Sequence, residues 1–175
     1  MRRPADERRG LRKGELVSEV SEVLAYGNLE AFVGRQIALS SWSQVTQDEA
    51  NEFGALTRDP DPMHVDPEWA AVHSPYGCTV AAGLHMMALL PSLTRGGDLV
   101  IEGVRLAMNY GFNRIRFVSP LPIGKPFRNR VQLIDVERRA DGNTAIVTQN
   151  QFELADEARP ILIAEWVNLL WPAAA

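Results

Sequence analysis

The stretch Thr79-Val-Ala-Ala-Gly-Leu-His-Met-Met-Ala-Leu-Leu-Pro-Ser-Leu93 decides the fold. Only Thr79, His85 and Ser92 in it are plainly polar. A helix built from it is apolar nearly all round and must be covered on most faces. It is too short to cross a membrane, which takes about 20 apolar residues. The expectation is a helix enclosed in a protein core.

Downstream of Gly96-Gly97 the pattern changes from helix to strand. Strands are predicted at about 103–118, 126–139, 143–154 and 160–171, with turn signals at Pro120-Leu-Pro-Ile-Gly124 and Asp141-Gly142. Ile146, Thr148, Asn150, Phe152 and Leu154 alternate with mostly more polar neighbours, and the last strand is apolar on both sides, as a central strand would be. Upstream, Leu16, Val20, Val23 and Leu24 recur at helical spacing, Leu29 to Val33 reads as a helical turn ended by Gly34, and Ile37 to Val45 as a strand. Thr46-Gln-Asp-Glu49 carries a capping-box pattern that opens a helix to about Leu56, and Glu68 to Val72 forms a short helix after Pro67. One buried helix, four long antiparallel strands and an earlier fifth give an α+β class. The sheet would wrap around a long central helix, the hot-dog fold.

The chain has 175 residues, 46% hydrophobic and 23% charged, the composition of an ordinary globular protein. Six basic and two acidic residues fall within 1–13, a local charge of +4, so the rest must carry −8 to give the overall −4. Residues 1–14 are therefore expected to be a basic, solvated tail, and 15–175 a single domain. The tail has no aromatic residue to stack on bases and no apolar face for lipid, so neither a nucleic-acid nor a membrane partner is expected. Nor does an apolar segment follow its arginines, as a secretory signal requires. Cys78 is the sole cysteine, which leaves no internal disulfide and no cysteine pair for a metal, and fits a cytoplasmic setting.

The run Arg58-Asp-Pro-Asp-Pro-Met-His-Val-Asp-Pro67 has three prolines, each lacking an N–H and restricting its predecessor, so a helix is not expected there. On such a stiff loop Asp59 and His64 can point into one cleft. A carboxylate and an imidazole sharing a water can perform both proton transfers needed to add water to an α,β-unsaturated thioester. A backbone N–H at the start of the buried helix can hold the charge on the thioester oxygen. Gly83 is the candidate, because it lets a substrate approach closely. Chemistry and spacing alone leave two readings open, a catalytic loop and a structural turn.

The stretch Arg58 to Ala71 resembles the hydratase motif Gly-Asp-x-Asn-Pro-x-His-x-Asp-Pro-x-x-Ala of MaoC-like dehydratases and (R)-specific enoyl-CoA hydratases. Tyr76-Gly-Cys-Thr-Val-Ala-Ala-Gly83 is similar to that family's second block, which usually ends in Ala-His-Gly or Val-His-Gly. Asn109-Tyr-Gly-Phe-Asn-Arg-Ile-Arg-Phe117, with Pro120 and Pro122-Ile-Gly124, resembles a subgroup that includes nodulation protein N. With Phe32-Val-Gly34 and Ser41-Trp42 the resemblance spans about residues 28–170. It implies a hot-dog fold, a homodimer, an acyl-CoA thioester substrate, and reversible conversion of a trans-2-enoyl-CoA to a (3R)-3-hydroxyacyl-CoA. Asp59 and His64 match the catalytic dyad, and Gly83 the glycine whose N–H binds the thioester carbonyl. Neither a metal nor a redox cofactor is implied, coenzyme A entering only as part of the substrate. Arg58, Tyr76 and Asn113 are candidates for substrate or CoA contacts.

The chain departs from the motif at Arg58, where Gly is common; at Asp61, which replaces Asn and puts a second carboxylate near the dyad; and at Ala82, which replaces the histidine before the oxyanion glycine. His85 is expected to be a satisfied core or interface histidine, His73 a surface residue, and Met86 and Met87 core residues of which one or two line an acyl tunnel. Two other functions fit the fold class: a hot-dog thioesterase, which would not need His64, and a non-catalytic acyl-thioester-binding subunit.

Overall fold

The structure, a computed structural model, describes residues 23–95 and 99–174. In chain order it contains β1 (Val23–Ala25), a 3-10 segment (Tyr26–Phe32), β2 (Gln36–Leu39), α1 (Gln47–Thr57), α2 (Pro62–Val65), α3 (Pro67–His73), α4 (Gly83–Arg95), β3 (Val100–Glu102), β4 (Val104–Phe117), β5 (Phe127–Arg138), β6 (Thr144–Leu154) and β7 (Leu162–Pro172). The basic tail and the helical spacing that begins at Leu16 lie outside the described residues, except for Val23 and Leu24. Those two belong to a strand: only Leu24 of β1 is buried, an alternation of period two, and it pairs in parallel with Ile101 of β3.

The main sheet is antiparallel in the order β2-β5-β6-β7-β4. Along β5 the buried residues Phe127, Asn129, Val131 and Leu133 alternate with partly exposed ones, so a single face meets the core. α4 lies against that face. Its Met86 and Leu90 pack in one cluster with Phe127, Phe152, Leu162, Ala164 and Trp166. A second cluster, with Leu24, Leu29, Ile37, Val131, Leu133, Ile146 and Leu170, fills the space under β1 and the 3-10 segment. The expected hot-dog architecture is therefore present, a helix cradled by a five-stranded sheet.

The cover on α4 is incomplete. Leu84, Ala88 and Ser92, four residues apart, form an exposed stripe, and Leu84 is 65% exposed. β2 stops at Leu39, short of the predicted Val45, because the chain then keeps beside β5 only through scattered bonds such as Ser40 N–H to Asn129 C=O, 2.9 Å. Among the described residues no helix is long and apolar enough to cross a membrane.

Candidate active site

The site is assembled by three reversals of the chain. The first ends α1. Thr46 opens that helix with the predicted capping box, its hydroxyl accepting from Glu49 N–H while the Glu49 carboxylate accepts from Thr46 N–H. Arg58 closes it in the left-handed conformation, φ 61°. Asp59 N–H then donates to Gly54 C=O at 2.9 Å, folding the loop back onto the helix. A Cβ at Gly54 would meet Val65 Cγ1 at 3.1 Å and Pro60 Cα at 3.3 Å, so glycine permits this close approach.

The left-handed position explains why glycine suits residue 58 and gives a first expected result. Arg58→Gly relieves a Cβ–carbonyl clash and should raise stability by about 0.5–1 kcal/mol, after the added freedom of the unfolded chain is subtracted. In thermal denaturation that is a rise of roughly 1–4 °C. A lower melting temperature would show that contacts of the arginine side chain outweigh the strain.

The second reversal holds His64. Contrary to the sequence expectation, the proline run contains a helical turn, α2. Pro62 stands at its first position, where a missing N–H costs nothing. The Asp61 carboxylate accepts from Met63 N–H at 2.8 Å, so the extra carboxylate is engaged as a helix cap. α3 repeats the device with Asp66 and Pro67. His64 is clamped on both sides. Its carbonyl accepts from Gln47 Nε2 at 2.9 Å, and Gln47 Oε1 accepts from the Thr79 hydroxyl at 2.8 Å. Its Nδ1 lies 2.8 Å from Val80 C=O. A carbonyl only accepts, so the proton sits on Nδ1 and Nε2 keeps a lone pair.

The third reversal starts α4. Ala81 N–H donates to Leu121 C=O at 2.8 Å, and the first helical bond runs from Met86 N–H to Ala82 C=O at 3.1 Å. The N–H groups of Gly83, Leu84 and His85 therefore have no intrahelical partner and form the positive end of the helix dipole. Phe117 closes over Gly83: a Cβ there would lie 2.9 Å from its Cζ.

Asp59, His64, Ala82, Gly83 and His85 line one cavity of about 260 Å³, so the structure brings Asp59, His64 and the helix start together. Asp59 is exposed and His64 half-buried. His64 and Gly83 also line a second cavity of about 320 Å³, with Tyr76, Met86 and Phe117. Arg58 is exposed and lines neither cavity. Asn113 lies apart on β4, in a depression with Tyr110, Asp135 and Arg139.

His85 is buried, as expected of a core residue, with 7% exposure and its ring stacked on Phe53 at 4.5 Å. It is not satisfied, however: its Nδ1 has neither a hydrogen-bond partner nor access to solvent. Burial pushes its pKa down, with the Glu49 carboxylate partly opposing the shift. Phe53, Gln47 and Phe117 carry no sequence signal for their places here, because each reaches the site across at least 17 residues of chain. No cluster of three or more His, Cys, Asp or Glu suited to a metal ion occurs among the described residues.

Residues 28–153, more than two thirds of the chain, match the family described as MaoC like domain. The chain belongs to the MaoC-like family. This MaoC-like chain is 38% identical to 3-hydroxyacyl-thioester dehydratase Z of Mycobacterium tuberculosis over 138 residues, covering 79% of the chain and 90% of that protein. It is 31% identical to nodulation protein N of Rhizobium leguminosarum bv. viciae, covering 84% of the chain and 91% of that protein. Among solved structures, a monoamine oxidase regulatory protein from Archaeoglobus fulgidus superposes with a TM-score of 0.71 at 18% identity, covering 89% and 99% of the two chains. At that identity the likeness is one of fold.

Proposed function

We propose that this MaoC-like chain is a hydro-lyase of acyl thioesters that reversibly converts a trans-2-enoyl-CoA to a (3R)-3-hydroxyacyl-CoA. The observation that carries the reading is the shared cavity of Asp59, His64 and the start of α4. The relative named as a 3-hydroxyacyl-thioester dehydratase, matched over most of both chains, supports the same chemistry.

In the hydration direction the water oxygen adds to C3 and one water proton is delivered to C2. His64 Nε2, left as an acceptor by the Nδ1–Val80 bond, takes that proton while Asp59 holds the water in place. The π electrons pass to the thioester oxygen, where Gly83 N–H and the dipole of α4 stabilise the charge. The same oxygen returns the charge as C2 takes up the proton, and the dyad ends unchanged. A thioesterase would instead direct water at the thioester carbonyl.

The deciding measurement follows loss of conjugated enoyl absorbance and release of free CoA separately, with crotonyl-CoA and longer 2-enoyl-CoAs. Hydration requires the first without the second. CoA release would establish the thioesterase, and no change on any chain length would favour a binding subunit.

We infer a homodimer formed through β4. This strand is 14 residues long, lies at an edge of the sheet and exposes Leu106, Met108, Tyr110 and Phe117. A long apolar edge left open invites pairing with a second copy. Light scattering should give twice the chain mass of 19.4 kDa, and a monomer at micromolar concentration would contradict it.

A further inference from the structure

His85 stands in the dyad's cavity, yet the reaction proposed above makes no use of it. Three observations give it a task. Its ring is pinned flat on Phe53, the planes only 4° apart, so its orientation is fixed by packing. That packing needs no nitrogen, since a phenyl ring would stack and fill the same space. A buried, unpartnered Nδ1 is therefore a cost with no return in the core.

The protonation state follows from the surroundings. Burial favours the uncharged ring, the opposing effect of Glu49 being smaller. With no acceptor at Nδ1, the tautomer bearing its proton on Nε2 avoids a buried orphan donor, the rarer and costlier defect. The ring thus has one N–H to give.

The third observation is positional. Ala82, beside Gly83 at the helix start, offers no polar side-chain atom, and residue 85 lies one turn further along α4, on the neighbouring part of the same face. Both line the cavity that holds Asp59 and His64.

We propose that His85 is a substrate-binding residue whose imidazole N–H donates a hydrogen bond to an oxygen of the acyl thioester held between Asp59, His64 and Gly83. The assignment rests on the acyl-thioester reading of the site. It makes His85 the polar contact that Ala82 cannot supply, displaced by a turn of the helix.

The test compares His85→Phe and His85→Gln with the unaltered chain, in crotonyl-CoA hydration and in calorimetric binding of butyryl-CoA, which cannot be hydrated. His85→Phe keeps the stack and should fold with an unchanged or higher melting temperature. It should lose about ten- to a hundredfold in kcat/KM and about tenfold in butyryl-CoA affinity. His85→Gln, which retains an N–H donor, should recover most of both. Wild-type kcat/KM and affinity in a folded His85→Phe overturn the proposal and leave the dyad untouched. Should the phenyl variant fail to fold, His85→Met against His85→Gln makes the same comparison. If the unaltered chain hydrates no enoyl thioester, the hydratase reading falls, and butyryl-CoA binding alone decides His85. Weaker binding in the variant than in the unaltered chain supports it, and equal binding in the two, or none by the unaltered chain, overturns it.

Discussion

Asp59→Asn and His64→Ala should each lower the rate of enoyl-CoA hydration by about 10²- to 10⁴-fold while leaving a folded protein. The two losses have different structural costs, which makes the comparison informative. Asp59 is exposed on a loop held by backbone bonds, chiefly its N–H to Gly54 C=O, which Asn retains. Its stability should change by less than about 0.5 kcal/mol. His64→Ala removes the Nδ1–H bond to Val80 C=O, a loss of about 0.5–1.5 kcal/mol. A thousandfold loss of rate corresponds to about 4 kcal/mol of transition-state stabilisation. The catalytic effect therefore exceeds the structural one several-fold, and inactivity at a retained melting temperature cannot come from unfolding. Because the two groups act on one water, the double variant should be scarcely slower than the worse single one. Initial rates of loss of enoyl absorbance check all three. Either single variant within twofold of the unaltered chain would sink the dyad.

The sequence made local chemistry readable and long-range chemistry not. The ends of β4 to β7 fall within about two residues of expectation, since alternation along a half-buried strand is written in the strand itself. The same holds for the capping box of α1, where both partners lie three residues apart. The proline run marks the limit of a local rule. Proline forbids a helix interior but not its first position, so Pro62 starts a helix where none is expected, just as Pro67 starts the expected one. β1 departs from the helical spacing of its sequence because its partner, β3, lies some 77 residues away, and only that pairing makes Val23–Ala25 a strand. At the site, Asp59, His64 and Gly83 stand out as candidates through the motifs they resemble, and the fold places all three on one cavity. The unpartnered nitrogen of His85 does not, because it is a property of its surroundings. Asn113 shows the converse. Polarity in a strand suggested a contact, yet β4 carries it to a depression away from the dyad.

Alternation places Asn150 with Phe152 on the inward face of β6 but not its partners Asn129 and Thr94, and the expected effect of this polar core on stability is large. Asn150→Leu should destabilise the fold by about 2–4 kcal/mol, a fall in melting temperature of roughly 5–15 °C. Asn150 is fully buried between the two apolar clusters. Its Oδ1 accepts from Asn129 Nδ2 at 3.0 Å and from the Thr94 hydroxyl at 3.2 Å, and its Nδ2 donates to Thr148 Oγ1 at 2.9 Å. Thr94 belongs to the last turns of α4, so this network ties the helix to β5 and β6 at the end opposite Gly83. Leucine adds apolar burial and leaves the Asn129 Nδ2 bond to Thr94 Oγ1 at 3.1 Å, but it strands the Thr94 O–H proton and one Asn129 N–H, and each orphaned group costs about 1–3 kcal/mol. Asn129 Oδ1 already lacks a partner, so the substitution adds orphaned donors to a site that holds an orphaned acceptor. Replacing Thr94 by Val and Asn129 by Leu in the same chain removes the orphans along with the bonds. The triple variant should therefore recover much of the stability, a non-additivity expected of groups in one network. Chemical denaturation of the single and triple variants separates the causes. A triple variant less stable than the sum of its single losses would mean that the bonds themselves, and not the avoidance of orphans, hold α4 to the sheet.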